Sequence, residues 1–245
     1  VLPADRERSH AAIRATVAGV VAAGAIPIVL GGDHSIAHPD VAAVADGKRP
    51  DRVGVIHFDA HADDADEIFG VKHSHGTPLR RLVEEGSVRG SDIVQVGLRG
   101  YWPGPEEFAW AREQGFRWYR MDDVHDRGLE AVVTDVLVDL ADCPHVFLSV
   151  DIDVCDPAAA PGTRRPPPMR GTIPLSYRRR DHVRRISPAP YRVRDASLVT
   201  VVRSARVTVA AFASGACAVL FAAACRITPA TWAEPGGGTA PASRV

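Results

Sequence analysis

The chain has 245 residues, 29 Lys+Arg against 30 Asp+Glu, and 46% hydrophobic content. That length suits one sizeable domain with a buried core; the apolar fraction excludes wholesale disorder, and four cysteines are too few for a disulfide scaffold. The net charge of −1 hides an uneven split: residues 1–163 carry 15 Lys+Arg and 27 Asp+Glu (net −12), and residues 164–245 carry 14 and 3 (net +11).

Ile13, Val17, Val20 and Val21 recur at helical spacing, with Gly24 as a stop. Ile26–Leu30 is a short apolar run and reads as a buried strand ending in Gly31-Gly32. A helix over Ile36–Ala45 leads to a second strand, Val53–Phe58. Thr77–Glu85 reads as a helix, Ile93–Val96 as a strand, Pro105–Gln114 as a helix and Phe116–Tyr119 as a strand. One long helix is expected over Asp123–Leu140, followed by the nearly continuous apolar strand His145–Val150. Strands apolar on both faces and separated by helices argue for a mostly parallel sheet covered on both sides.

After Thr163 the texture changes. Residues 164–206 hold 12 Arg, no Lys and two acids, Asp181 and Asp195, and runs such as Arg164-Arg165-Pro166-Pro167-Pro168 fit no periodic element. Val207–Cys225 is free of charge but rich in Ala, so a membrane span is disfavoured despite its length. Without aromatic interleaving, the Arg-rich stretch does not suggest a nucleic-acid partner. The first residues are polar where a signal peptide would be apolar, and no CxxC spacing occurs, so a cytoplasmic location is expected. The missing initiator Met leaves a fragment or a processed start open.

Ligands in open α/β sheets bind at the carboxyl ends of the strands. Three strands here run into polar loops: Gly31-Gly32-Asp33-His34-Ser35, Asp59-Ala60-His61-Ala62-Asp63, and Asp151-Ile152-Asp153-Val154-Cys155-Asp156. Alternate side chains just past a strand point to one side, so Asp59, His61 and Asp63 can converge, as can Asp151 and Asp153, with His34 adding an imidazole. Four carboxylates and two imidazoles are too many ligands for one small ion. Buried together without cations they would be strongly destabilising. Two divalent metals sharing carboxylates resolve this, and an oxygen-rich, thiolate-free donor set favours Mn²⁺ over Zn²⁺. His57 inside its strand is read as a hydrogen-bonded core group or a support behind the ligands; His38 is set aside because the ligands are already accounted for, and His73 is read as a loop residue. Tyr101 and Trp102 are read with equal weight as a substrate border or as loop packing.

Those loops, together with Ser74-His75-Gly76-Thr77 and the Asp156-Pro157 extension, resemble the ureohydrolase superfamily of arginases, agmatinases and related guanidino-hydrolases. The likeness covers about residues 10–163, and Gly97-Leu98-Arg99-Gly100 with Tyr101–Pro105 resembles the agmatinase branch. The resemblance implies a three-layer α/β/α fold and two Mn²⁺ ions about 3.5 Å apart. By position, His34, Asp59, Asp63 and Asp151 would hold one ion, and Asp59, His61, Asp151 and Asp153 the other. A bridging hydroxide would attack the guanidinium carbon to give urea and an amine, with Asp63 and His75 as the catalytic proton carriers. Arginases have an Asn where this chain has Ala65, which implies a smaller guanidino substrate such as agmatine or guanidinobutyrate. The resemblance also implies trimers or hexamers. Family members have an additional amino-terminal segment, with its own strand, before the helix that starts this chain, so the fold is expected to be incomplete at that end.

Two departures are expected to matter. The family pattern stops at Pro161-Gly162-Thr163, so residues 1–163 read as a partial metal-binding domain and 164–245 as an atypical Arg/Pro/Ala-rich region, explained by a shifted reading frame. The family's Glu-x-Ser-Pro segment has its nearest counterpart in Arg185-Ile186-Ser187-Pro188, with a cation in place of the guanidinium-binding acid. The alternative to an active enzyme is therefore a remnant that binds metal without turnover.

Overall fold

Period-two alternation along the central strands sets the layering. On β2 (Val53–Phe58), Val53 and Val55 face one side of the sheet while Ile56 and Phe58 face the other. β5 (His145–Asp151) does the same with Phe147 against Val146, Leu148 and Val150. Each face meets its own helices. α1 (Arg6–Ala22), α2 (Ala37–Lys48), α3 (Pro78–Glu84) and α4 (Pro105–Glu113) cover the Phe147 side through Val17, Val41, Leu79, Leu82 and Ala111. α5 (Met121–Arg127) and α6 (Leu129–Asp139) cover the other through Met121, Val124, Val132 and Val136. The result is an α/β/α sandwich with two cores. The computed structural model describes residues 5–100, 104–155 and the backbone of 197–203.

The sheet runs β1-β6-β5-β2-β3-β4, with β1 at Ile28–Leu30, β3 at Ile93–Leu98, β4 at Arg117–Arg120 and β6 at Ser197–Arg203. β5, β2, β3 and β4 are mutually parallel, as expected from strands apolar on both faces. β6 is antiparallel to both β5 and β1, so the region after Thr163, expected to be atypical, supplies one strand. Tyr101, Trp102, Asp156, Arg185 and Val207–Cys225 lie outside the described residues.

Two expectations need correction. The helix expected over Asp123–Leu140 is two helices, because Gly128 takes φ 82° and ψ 149°, which no helix can continue. The apolar rhythm survives the break because both halves pack on the same sheet face. The expected buried strand Ile26–Leu30 shortens to β1 and is exposed at Ile26, Ile28 and Leu30. Pro27 offers no amide hydrogen, and β1 stands at the sheet edge, where one neighbour cannot cover both faces.

Asp40 on α2 is fully buried, and neither carboxylate oxygen has a hydrogen-bond partner among the described residues. Burial pushes its pKa up to about 7, with His34 pulling weakly the other way. An acid whose folded-state pKa is raised stabilises below its unfolded value near 3.8, and that contribution is lost as pH rises through 7. Between pH 5 and pH 8 the chain should therefore lose about 2 kcal/mol relative to Asp40→Asn. Chemical denaturation of both proteins at the two pH values checks this. Equal losses would contradict it.

Candidate metal centre

The carboxyl ends of β2, β3 and β5 carry a buried polar row. His57 pairs in register with Ser149 on one side and Gln95 on the other, so all three side chains lie on the α2 face. Each supports one loop above it. Ser149 Oγ is 2.8 Å from His34 Nε2, Gln95 Nε2 donates to the Ala62 carbonyl, and His57 Nε2 is 3.2 Å from Asp59 Oδ2.

The six side chains singled out at the loop ends meet above that row. His34, presented by the turn His34–Ile36 whose Asp33 caps it, puts Nδ1 2.9 Å from Asp59 Oδ2, 2.9 Å from Asp63 Oδ2 and 3.5 Å from Asp151 Oδ2. His61 Nδ1 lies 3.3 Å from Asp59 Oδ1 and 3.0 Å from Asp153 Oδ2. Asp59 is thus shared: one oxygen faces the His34 half and the other faces the His61 half. His57, expected as a hydrogen-bonded support behind the ligands, also stands within ligand range in the first half. Its signal in the sequence is a polar residue inside a fully apolar strand, shared with Ser149 and Gln95.

Local structure explains how these loops hold their shape. The His61 amide donates to Asp59 Oδ1 at 2.6 Å, the Ala60 amide to Asp153 Oδ1 at 3.2 Å, and the Asp153 amide to Asp151 Oδ1 at 2.9 Å. Asp63 sits at φ 50°, a left-handed conformation that aspartate tolerates better than most residues and that clusters at functional sites. Gly97 sits at φ 101° in a bulge of β3, where a Cβ would lie 2.6 Å from Val154 Cγ2 and 3.2 Å from the Asp59 carbonyl. Only glycine lets β3 approach the two acidic loops this closely. Next to it, the Arg99 guanidinium donates to the carbonyls of Asp153, Val154 and Cys155 and fixes that loop. The Gly97-Leu98-Arg99 motif thus positions the third loop.

His75 stands apart from this cluster. It is exposed on the loop before α3, with Nδ1 3.3 Å from Ser74 Oγ. The buried Thr77 hydroxyl accepts from the Ser74 amide at 2.8 Å and lies 2.6 Å from the Lys72 carbonyl, tying that loop into a knot. His38 and His73 are not at the centre either; they meet each other and His10.

The donor set fits divalent metal ions. Three carboxylate oxygens crowd His34 Nδ1, yet none makes a hydrogen bond with it, as expected of ligands converging on a cation. Burial would pull His34 down, but the Asp59 and Asp63 carboxylates raise it well above its usual value. His61 is pushed up to about 11 by Asp153 and Asp59. Burial, then repulsion from Asp59 and Asp153, lifts Asp151 to about 8, and burial and Asp59 raise Asp153. Protons in these positions mark where positive charge belongs. Both ligand groups contain only imidazole and carboxylate.

A family model described as "Arginase family" matches residues 1–176. The chain belongs to the arginase family. Within that family it is 44% identical to the mitochondrial agmatinase of Gallus gallus over 165 residues, covering 66% of this chain and 47% of that protein. It is 43% identical to the guanidinobutyrase of Pseudomonas aeruginosa over 143 residues, covering 58% and 44%. Among solved structures, the formimidoylglutamase of Bacillus subtilis matches with a TM-score of 0.64 and 30% identity, covering 70% of this chain and 53% of that one. This arginase-family chain spans about half the length of such relatives. Among the described residues, no helix is long and apolar enough to cross a membrane.

Ser149 should control the metal affinity of the His34 half. Nε2 lies 2.8 Å from Ser149 Oγ, which holds the ring with Nδ1 facing the three acids; with a metal bound, Nε2 would donate to Ser149 and Nδ1 would be the ligand atom. Ser149→Ala is expected to weaken Mn²⁺ binding about 10–100-fold, read by equilibrium titration. Unchanged affinity would contradict that role.

Proposed function

We propose that the chain carries the metal-binding half of a Mn²⁺-dependent guanidino-hydrolase of agmatinase type. The observation that carries this is Asp59, shared between a His34/Asp63/Asp151 half and a His61/Asp153 half. His34, Asp59, Asp63, Asp151, His61 and Asp153 would hold two ions, with Asp59 and Asp151 between them. Two such ions supply a water acidic enough to act as nucleophile near neutral pH.

The remaining chemistry falls to the chain. Asp63, against His34 and 7% exposed, would take the proton of the attacking water and return it to the leaving nitrogen. The water oxygen bonds to the guanidinium carbon, the bond from that carbon to the nitrogen bearing the alkyl chain breaks, and urea and a protonated amine leave. His75, exposed at the end of the knotted loop, would exchange protons with solvent. Ala65 is buried and has no side-chain amide for an α-amino acid head group, which favours agmatine or guanidinobutyrate over arginine. The same reading takes residues 1–163 as the metal-binding unit and 164–245 as a distinct, frame-shifted region; an alternative frame of the encoding DNA that restores Glu-x-Ser-Pro would support it.

Arg185, where the family's motif has Glu, favours a second reading: a remnant that binds metal without turnover. Urea release from agmatine and from guanidinobutyrate with added Mn²⁺ separates the two. Urea above the metal-free blank supports the hydrolase; none, with two ions bound, selects the remnant.

A further inference from the structure

A second histidine cluster lies outside the centre described above. His10 on α1, His38 on α2 and His73 on the loop before α3 each bring one ring nitrogen to within 4.8 Å of the other two. The rings of His38 and His73 are 5.1 Å apart, and those of His10 and His38 are 6.2 Å apart. No ligand is shared with the Asp59 groups.

The cluster is ordered around His38. Its side chain is 10% exposed, and its Nε2 is held by Glu85 Oε2 at 2.8 Å. Its Nδ1 is buried without a hydrogen-bond partner among the described residues. A buried imidazole nitrogen left bare while the other is fixed by a carboxylate is the arrangement of a metal-bound histidine with its outer-shell acid. His10 is fixed in the same manner, with Nε2 3.1 Å from Ser35 Oγ. Ring packing alone explains the contacts but leaves His38 Nδ1 orphaned.

We propose that His10, His38 and His73 form a separate metal site for a divalent ion of the zinc type, clamping the His73–His75 loop to α1 and α2. Three neutral imidazoles with an open fourth position suit Zn²⁺, in contrast to the carboxylate-rich centre nearby. Tetrahedral Zn–N bonds place ligand nitrogens about 3.3 Å apart, so the nitrogens need close in by at most about 1.5 Å. Burial brings His10 down to about 4 and lowers His38, helped in both by neighbouring imidazoles. Both therefore keep a lone pair at neutral pH. The site needs no turnover, and it stands or falls independently of the hydrolase reading.

The test uses the full chain with its Mn²⁺ content measured in parallel. Zn²⁺ is added, and two readouts are taken: the affinity of the additional Zn²⁺ equivalent, and the rate of tryptic cleavage after the exposed Lys72. In the wild type, Zn²⁺ should slow that cleavage at least about tenfold by tying down His73. His10→Asn leaves the cleavage sequence intact and should abolish the protection, and both it and His73→Asn should weaken the additional Zn²⁺ at least about tenfold with Mn²⁺ retained. Undiminished Zn²⁺ affinity in either variant, or cleavage at Lys72 indifferent to Zn²⁺ in the wild type, would overturn the site.

Discussion

Asp59→Ala is expected to strip both ions from the chain and to cut any urea release by well over the roughly 10–100-fold that loss of an outer-shell partner costs. The reason is topological. Asp59 Oδ2 is 2.9 Å from His34 Nδ1, and Oδ1 is 3.3 Å from His61 Nδ1; among the described residues the other acids pair with one imidazole or the other, Asp63 and Asp151 with His34 and Asp153 with His61. Burial opposes its charge, yet contacts from His34, His57 and His61 hold its carboxyl well below the usual carboxylate range. Its loss also frees the His61 amide, which bonds Oδ1 at 2.6 Å, and slackens the loop carrying His61 and Asp63. Asp59→Asn keeps the shape and removes the charge, and should lose metal nearly as completely. Metal content by mass spectrometry, with the exposed Asp51→Ala as control, checks this. A variant that keeps two ions would refute the shared role.

Chelation should destabilise the chain by several kcal/mol. Asp59, Asp63, Asp151 and Asp153 are packed together with little solvent, and like charges at these distances repel. Each ion present at 100 times its Kd adds about 2.7 kcal/mol, so two add roughly 5 kcal/mol. For a chain of this size that corresponds to a Tm about 10 °C or more above the chelated form. Differential scanning calorimetry with and without chelator reads it directly. Coincident transitions would mean that the carboxylates are balanced by the imidazoles alone.

Much of this was legible in the sequence because the site is built from strand ends. β2 and β5 are nearly continuous apolar runs, interrupted at His57 and Ser149, and the next polar residues along the chain are Asp59 and Asp151, which converge. Where period two and chain order decide the outcome, local reading suffices. It failed where neighbours in space decide. Apolar spacing runs through Gly128 without a pause, so the two helices looked like one. Ile28 and Leu30 look like core residues, but edge position exposes them. Ser149 and Gln95 gain their supporting role only from the register that sets them beside His57. His10, His38 and His73 come from three elements with no common spacing, and only the packing of α1 on α2 and the knot at Thr77 bring them together.

Anomalous diffraction at the manganese edge from Mn²⁺-soaked crystals tests the shared-carboxylate centre most directly. Two peaks are predicted, one in contact with His34 and Asp63, the other with His61 and Asp153, and both reached by Asp59. A single peak, or a pair that leaves Asp59 without contact to one ion, would contradict it.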